Sequence, residues 1–315
     1  MSVEVIAEIG VNHNNNRDTA IMMIGAAMGA GANVVKFQAS TVREEVSLRA
    51  APEHYAELEK LVPTLEFLGR CKEVCDAQGV EFLCTPAGEE SLDMVRKLGV
   101  RRIKVASDNL NNIGFLRAVA RTHLPVILST GMGTLAEVSR ASALVHTGQR
   151  AATLLHCVSA YPCPVDQINL GMMTSLRRYG PIGLSDHTTS VLVPALAVAL
   201  GAVMIEKHIT LDRSMPGPDH AASLTPEDFK SMVRLIREAE KAPGLNQPKM
   251  VVPAERPNMA RYRKSLVAAT DIAEGEIFTL DNVTAKRPGT GRSPAELDSV
   301  IGTVARRPYK ADELL

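Results

Sequence analysis

The chain has 315 residues, enough for a barrel of roughly 250 residues together with one small domain. Lys plus Arg and Asp plus Glu each total 35, so the balanced charge excludes a global positive field that would attract nucleic acid or an anionic membrane. Hydrophobic residues make up 45% of the chain and aromatic residues only 3%, a composition that suits an aliphatic parallel sheet covered by helices.

Apolar, β-branched runs alternate with helical segments along the first 242 residues. Helical periodicity marks Thr19–Met28, Leu65–Gln78, Ser91–Leu98 and Leu135–Val145, and a glycine after each of the first three indicates where that helix ends. Eight strands alternating with helices predict an α/β fold, a (β/α)8 TIM barrel over residues 1–242. An open doubly wound sheet is the alternative, but no glycine-rich fingerprint follows the first strand. The predicted strands are Val3–Ile9, Asn33–Gln38, Val80–Thr85, Arg102–Ala106, Pro125–Thr130, Ala152–Val158, Ile182–Ser185 and Val203–Ile209.

The sequence changes in character after Thr225–Ala242, the last predicted barrel helix. Residues 243–257 contain four prolines together with Gly and Asn, which predicts a linker. Residues 258–315 contain short strand-like pieces separated by turns. They predict a small β-rich domain that leans on a partner surface for stability.

Targeting signals and cysteines indicate the compartment. The first residues, MSVEVIAEIG, lack the basic and long apolar regions of a secretory signal. The most apolar later stretch, residues 191–205, is interrupted by Pro194 and Gly201 and is too short to span a bilayer. Five cysteines without a CxxC pair predict free buried thiols and no zinc site. We therefore expect a soluble, cytoplasmic protein.

Polar residues stand at the C-terminal end of every predicted strand, where barrel enzymes carry their active sites. Lys, Glu and His are rarely buried in aliphatic strands without a partner, so eight such strand ends predict one shared site. The residues are Glu8 with Asn12-His13-Asn14, Lys36 and Gln38, Thr85, Lys104 and Ser107, Ser129-Thr130-Gly131, His156 and Tyr161, Ser185-Asp186-His187, and Glu206-Lys207-His208.

Two lysines in this set, Lys36 and Lys104, face the barrel interior in the predicted pattern. Together with Ser and Thr hydroxyls and the backbone of a Ser-Thr-Gly turn, they predict a pocket for a phosphate or a carboxylate. The alternative is that each lysine pairs with a carboxylate, such as Glu8 or Glu206, inside the barrel.

Two histidines, His187 and His208, end adjacent predicted strands at similar depth. Two imidazoles with few carboxylates leave coordination positions open for water and substrate, so we predict that this pair holds a divalent metal. The alternative is one general acid–base and one histidine hydrogen-bonded in the core. His156 is expected to play a structural or supporting role. Asp219 follows a Pro-Gly-Pro loop at the barrel mouth, where it could bind a polyol or simply end a turn.

The motifs that hold these residues follow one another as AEIGVNHNNN, VVKFQ, LCTPA, KVAS, ILSTGM, LLHCVSAYPCP, GLSDHT, EKHIT and MPGPDH. In this order they resemble the sialic acid synthase family, which includes N-acetylneuraminate, legionaminate and pseudaminate synthases. The later RKSLVAATDIAEGE and VTAKRPGTG resemble the antifreeze-like SAF domain, a β-clip, that the family carries after its barrel. The resemblance runs from about Val5 to the C-terminus.

The resemblance implies a transferase that condenses phosphoenolpyruvate with an N-acetylmannosamine-type aldose to give a nine-carbon 2-keto acid and phosphate. It implies a Mn²⁺ or Mg²⁺ ion on His187 and His208 that polarises the sugar aldehyde. It also implies a domain-swapped homodimer in which the small domain covers the partner's barrel and Arg287 reaches the acyl-amino group. The implied catalytic residues are Glu8, Lys36, Lys104, His187 and His208. The implied substrate-binding residues are Gln38, Thr85, Ser107, Asn109, Ser129, Ser159, Tyr161, Ser185, Asp219 and Arg287.

Three features depart from the family pattern. The chain has Ser107-Asp108-Asn109 where the family has Ser-Gly-Glu or Ser-Gly-Asp, so an acidic sugar contact is either replaced by Asn109 or displaced to Asp108. Ala311 stands where the family often has Gly, and the loop Val42–Leu65 matches no family motif. The sequence therefore leaves open the exact sugar, including legionaminic and pseudaminic types, and the choice between Mn²⁺ and Mg²⁺.

Three other functions compete with a synthase of this kind. A Schiff-base aldolase on the same barrel would use Lys36 or Lys104 and need no metal. A phosphoenolpyruvate-dependent synthase could act on an aldose phosphate. The neutral net charge and the antifreeze-like domain argue against this function. A non-catalytic module could bind carbohydrate or ice through the small domain, but the complete set of strand-end residues argues against it.

Overall fold

The structure is a computed structural model that describes residues 2–146, 151–242 and 248–315. The chain divides into two compact units, Met1–Gly244 and Leu245–Leu315. Residues 243–247 of the predicted linker lie outside the described residues. The rest of that segment contains a 3₁₀ turn, Pro253–Glu255, and the start of a helix at Arg256.

The first unit is built on one sheet of eight parallel strands, in the order β3-β2-β1-β8-β7-β6-β5-β4. The end strands β3 and β4 also contact each other, so the sheet curls into a nearly closed barrel. The predicted (β/α)8 barrel is confirmed, because each predicted apolar run matches one of these strands to within one residue at each end. They are β1 Glu4–Gly10, β2 Val34–Ala39, β3 Glu81–Pro86, β4 Ile103–Val105, β5 Val126–Ser129, β6 Thr153–Cys157, β7 Ile182–Asp186 and β8 Met204–His208.

Helices connect the strands, and local capping explains several of their ends. Thr64 and Thr134 each accept a backbone N–H from the first turn of the helix that follows, and Gly79 ends its helix in the left-handed conformation with φ +74°. The helices are α1 Arg17–Gly29, α2 Val42–Glu45, α3 Pro52–Leu58, α4 Leu65–Gln78, α5 Glu89–Lys97, α6 Ile113–Arg121, α7 Leu135–Val145, α8 Met173–Leu176, α9 Val193–Ala199, α10 Pro226–Ala239, α11 Arg256–Tyr262 and α12 Leu297–Val300.

The barrel interior has an apolar layer beneath a polar one. Side chains alternate between the two faces of a strand, so residues two apart share a face. The apolar layer is a separate cluster of buried side chains, Ile6, Val34, Leu83, Ile127, Leu155 and Met204. Two residues further along each strand, the same face carries Glu8, Lys36, Thr85, Ser129, Cys157 and Glu206. The polar residues of the barrel interior therefore lie directly above a layer of buried apolar side chains.

The second unit is small and β-rich, as the sequence predicts. Strand β9, Ser265–Ala268, pairs antiparallel with β10, Val283–Lys286, and isolated bridges such as Ile272 with Tyr309 tie the remaining loops together. Its core is one cluster of buried residues that includes Leu266, Phe278 and Val300. This unit therefore has a core of its own.

Two further findings bear on the sequence predictions. All five cysteines are free and buried, as expected from their spacing. Within the described residues, no helix has the length and the apolar character needed to cross a membrane.

Candidate active site

A cavity of about 380 Å³ opens at the C-terminal ends of the barrel strands. Strand-end position alone predicts this location, and the cavity brings together residues from the ends of all eight strands, although Asn12, His13, Asn14, Thr130, Gly131, His156, Asp186 and Lys207 do not line it. Of the residues in the first unit to which the sequence assigns a catalytic or substrate-binding role, all except Asp219 line it. These are Glu8, Lys36, Gln38, Thr85, Lys104, Ser107, Asn109, Ser129, Ser159, Tyr161, Ser185, His187 and His208.

A buried network of two lysines and two glutamates forms the floor of this cavity. Lys36 Nζ lies 3.4 Å from Glu8 Oε1 and 3.2 Å from Glu206 Oε2, and Lys104 Nζ lies 3.5 Å from Glu206 Oε1. All four side chains are almost inaccessible to solvent. The carboxylate pairing that the sequence left as an alternative for the lysines is therefore present, and both lysines line the cavity as well.

The two glutamates of this network have opposite protonation tendencies. Burial raises the pKa of Glu8 to about 7, with Glu206 adding to the rise and Lys36 opposing it. Burial also acts to raise the pKa of Glu206, but Lys104 and Lys36 outweigh it, and that pKa falls to about 2. Glu206 is therefore the permanent anion between the lysines, whereas Glu8 can exchange a proton near neutral pH.

The hydroxyl groups around the network differ in whether they already have hydrogen-bond partners. Ser185 Oγ donates to Glu206 Oε1 at 2.9 Å, and Lys36 Nζ donates to Thr85 Oγ1 at 3.2 Å. Ser107 Oγ accepts the Gly131 N–H at 3.0 Å. Ser129 Oγ is buried and has no hydrogen-bond partner among the described residues. Because a buried polar atom without a partner is costly, Ser129 is poised to bind a ligand.

The rings of His187 and His208 both line the cavity, with their centroids 5.4 Å apart and their planes inclined at 48°. His187 Nδ1 donates to the carbonyl oxygen of Val158 at 2.9 Å, so Nε2 is the nitrogen that remains for a ligand. Burial acts to lower the pKa of His187, but Cys157, whose Sγ lies 3.8 Å from Nδ1, and the Val158 carbonyl oxygen outweigh it and raise that pKa. Burial, assisted by His187 and Lys36, holds the pKa of His208 well below its ordinary value. His208 is therefore neutral at physiological pH, the state that binds metals.

The donor set fits a divalent ion held by few protein ligands. No group of three or more His, Cys, Asp or Glu side chains within residues 2–146, 151–242 and 248–315 is arranged to hold a metal. His208 Nδ1 is buried and without a hydrogen-bond partner there, and the nearest carboxylate oxygen, Asp219 Oδ2, lies 3.8 Å away. Two imidazoles and one neighbouring carboxylate would leave most coordination positions to water and substrate.

The remaining predicted residues occupy different positions. Asn109 lines the cavity, but its amide is engaged with the scaffold, donating to the Ala87 carbonyl oxygen at 3.0 Å and accepting from Asn112 Nδ2 at 2.9 Å. Asp108 beside it is exposed and also lines the cavity. Arg287 lies in the second unit, where its guanidinium stacks 5.0 Å from the ring centre of Tyr262.

The strand-end rule selects Glu206 for the predicted shared site, but the sequence assigns it neither a catalytic nor a substrate-binding role. The structure puts it at the centre of the network, in contact with both lysines and with Ser185. Its spacing was the available signal, because Glu206 stands two residues before His208 on one strand and must share its face. His156 was assigned a structural or supporting role. It is buried, and its Nε2 lies 2.7 Å from the carbonyl oxygen of Ile168.

Comparison with known proteins now identifies the class to which this barrel and its buried site belong. The NeuB family matches residues 23–247, and the SAF domain matches residues 263–315. The chain belongs to the NeuB family, so the resemblance seen in the motifs is confirmed.

Characterised relatives match almost the whole chain. An N,N'-diacetyllegionaminic acid synthase of Campylobacter jejuni is 39% identical over 329 residues, which cover 99% of this chain and 98% of that protein. The N-acetylneuraminate-9-phosphate synthase of Homo sapiens is 31% identical, over 95% of this chain and 87% of that one. A crystal structure of N-acetylneuraminic acid synthetase from Leptospira borgpetersenii in complex with citrate superposes with a TM-score of 0.76 at 32% identity, covering 82% of this chain and 90% of that one.

A buried histidine beside the site makes the stability of the barrel sensitive to acid. His13, in the loop after β1, is fully buried against Phe67, its ring centre 4.7 Å away, and its Nδ1 accepts the Asn15 N–H at 2.9 Å. Burial lowers the pKa of His13 to about 4. As the pH falls, the unfolded chain therefore protonates this histidine before the folded protein does. The free energy of unfolding decreases as the pH falls from about 6.5 to about 4.

His13 should account for a decrease of about 3 kcal/mol in the free energy of unfolding of the parent protein over this pH window. We predict that His13→Asn, which keeps an acceptor for the Asn15 N–H, abolishes this part of the decrease. Urea unfolding at pH 7 and pH 4.5 measures it. His54→Asn, at an exposed histidine, is the matched control and should leave the difference between the two pH values unchanged. Equal pH dependence in His13→Asn and the parent protein would contradict a neutral buried imidazole.

Proposed function

We propose that the protein is a nonulosonic acid synthase that joins phosphoenolpyruvate to an N-acetylmannosamine-type aldose and releases phosphate. The observation that carries the proposal is the buried Lys36 and Lys104 pair, which shares Glu206 on the cavity floor beside two neighbouring imidazoles. The names of the relatives support the product class, and the donors in the cavity support the anionic substrate.

Phosphoenolpyruvate carries a phosphate and a carboxylate, and the lower cavity offers donors for both. Among the residues that the structure describes, Lys104 Nζ makes only long contacts, 3.4 Å to the Val105 carbonyl oxygen and 3.5 Å to Glu206 Oε1. The unpartnered Ser129 hydroxyl adds a neutral donor. Together with Lys36 and Thr85, these groups bind the two anionic ends and keep the planar enol between them.

The acceptor sugar occupies the upper cavity, with its aldehyde beside His187 and His208. These residues would hold Mn²⁺ or Mg²⁺, which as a Lewis acid would polarise the aldehyde oxygen. The enol carbon C3 attacks the aldehyde carbon and forms the new C–C bond, water adds at C2, and phosphate leaves to give the 2-keto acid. Glu8, whose pKa is raised to about 7, is protonated in about half of the molecules at pH 7, and in that form it delivers its proton to the aldehyde oxygen as that oxygen becomes a hydroxyl.

The second unit supplies the last part of the proposal. We assign Arg287 to the acyl-amino group of the sugar bound in the partner's barrel of a domain-swapped homodimer. The guanidinium lies 5.0 Å from the ring centre of Tyr262. The planar guanidinium suits recognition of an amide oxygen, because two of its N–H groups point in parallel.

A Schiff-base aldolase remains the second candidate, because burial lowers the pKa of Lys104. A lysine whose ammonium form is disfavoured is a better amine nucleophile. The two candidates differ in their need for a metal, and only the aldolase forms a bond that borohydride can trap.

The test is phosphate release from phosphoenolpyruvate with Mn²⁺ or Mg²⁺ and a panel of N-acyl hexosamines and diamino-trideoxy hexoses. We expect release with at least one sugar, loss of release on chelation, and recovery with added metal. His208→Ala should reduce kcat/KM by a factor of about 100 or more, since a catalytic metal lowers the barrier by several kcal/mol. His54→Ala is the control, at an exposed histidine.

Two results would contradict the proposal. If phosphate is released with none of the sugars, the protein is not a synthase of this class. Chelator-resistant turnover together with a lysine adduct after borohydride treatment would favour the aldolase instead.

The choice of sugar falls to Asp108 in this proposal, because the amide of Asn109 is already engaged. We predict that Asp108→Ala raises KM for the sugar about tenfold or more and leaves KM for phosphoenolpyruvate within twofold, since a charged hydrogen bond contributes about 1.5–3 kcal/mol. Steady-state kinetics with each substrate varied in turn measures this. Asp93→Ala, at an exposed carboxylate on α5, should change neither value. An unchanged sugar KM in Asp108→Ala would show that this carboxylate does not contact the acceptor.

A further inference from the structure

A second ion pair lies behind the wall of the barrel, on the face of the strands away from the cavity. Asp186 on β7 and Lys207 on β8 are register partners, and both side chains are fully inaccessible to solvent. Lys207 Nζ lies 2.6 Å from Asp186 Oδ2. Because side chains alternate along a strand, Lys207 faces outward between the inward-facing Glu206 and His208.

This pair encloses the turn that presents His187. Lys207 Nζ also donates to the carbonyl oxygen of Thr188, while Asp186 Oδ1 accepts the Thr188 N–H at 2.9 Å and Oδ2 accepts the Thr188 hydroxyl at 3.1 Å. The residues on both sides of His187 are therefore fixed by one ammonium group. That ammonium belongs to the residue immediately before His208.

Stability alone does not account for a buried ion pair at this position. Removing two charges from water is costly, and replacing such a pair by apolar side chains of similar volume is often neutral or stabilising. The hydrogen bonds of this pair go to the backbone and hydroxyl of Thr188 in the turn, where an apolar pair could not make them. What the charges add is a fixed geometry between the ends of β7 and β8.

We propose that Lys207 is a positioning residue whose ammonium, through Asp186 and Thr188, sets the separation of the His187 and His208 imidazoles and thereby tunes the affinity for the divalent ion. The inference rests on the proposed function, because it takes the two histidines to be the metal ligands. Supporting interactions of this kind typically change metal affinity by a factor of 10–100.

The test uses the full-length protein and the double variant Asp186→Leu/Lys207→Met, which removes both charges together and leaves no uncompensated buried ion. Mn²⁺ binding is titrated by the loss of the free-ion electron paramagnetic resonance signal, and thermal unfolding is recorded in parallel. We expect the Kd for Mn²⁺ to rise at least tenfold. The Mn²⁺ concentration for half-maximal phosphate release should rise in parallel, and kcat at saturating Mn²⁺ should stay within about threefold of the parent value.

Two further variants separate positioning from loss of stability. Thr188→Val keeps the Asp186–Lys207 pair and removes only the Thr188 hydroxyl, so it should raise the Kd for Mn²⁺ severalfold even where the double variant fails to fold. Arg102→Met breaks an ion-pair cluster with Glu4 and Glu81 at the opposite ends of the strands. It should lower the unfolding temperature without changing the Kd.

The outcomes distinguish this inference from the function on which it rests. A parent protein that does not bind Mn²⁺ would overturn both the metal role and the inference. A parent protein that binds Mn²⁺, alongside folded double and Thr188→Val variants with a Kd within twofold of its value, would overturn the inference alone. An equal loss of Mn²⁺ affinity in Arg102→Met would also overturn it, since general destabilisation would then explain the effect.

Discussion

The site depends on one constraint, that four buried ionisable side chains lie above a layer of aliphatic side chains and must compensate one another's charge. Both Lys36 and Lys104 have their Nζ within 3.5 Å of a carboxylate oxygen of Glu206. These groups lie above the apolar layer that includes Ile6, Val34 and Leu83. Charges in such surroundings interact strongly, and an unpaired one is costly. A dianionic ligand that brings its own charge to the two lysines is therefore well matched to this cavity, and Glu8, whose pKa is shifted to about 7, can adjust its protonation to the added charge.

Strand β8 supplies Glu206 to this network and also presents His208 on the same face, two residues further along. Glu206 and His208 face the cavity while Lys207, between them, faces the barrel exterior and contacts Asp186. The cavity network, the imidazole pair and the outer ion pair therefore all depend on how side chains alternate between the two faces of β8. A deletion or insertion within this strand would disrupt all three together.

Much of this arrangement could be predicted from the sequence, because strand alternation and the position of barrel active sites are local rules. The eight strands and the strand-end residues of the cavity, such as Lys36, Lys104 and His208, follow from them. The engagement of the Asn109 amide with Ala87 and Asn112 could not, since it depends on contacts between residues of different loops. The central place of Glu206 was accessible from its spacing to His208, but its sharing by two lysines required the register of neighbouring strands. The structure describes each unit separately, so the role of Arg287 in the partner's site stays a prediction.

The central claim is that the lysine pair binds phosphoenolpyruvate beneath an ion held by His187 and His208. Crystals of the protein grown with Mn²⁺ and phosphoenolpyruvate, measured at the manganese absorption edge, test it most directly. The claim predicts one anomalous peak within about 2.0–2.3 Å of a nitrogen of each imidazole, and density for the two anionic ends of phosphoenolpyruvate at Lys36 and Lys104. A manganese peak elsewhere in the barrel, or phosphoenolpyruvate bound away from both lysines, would contradict it.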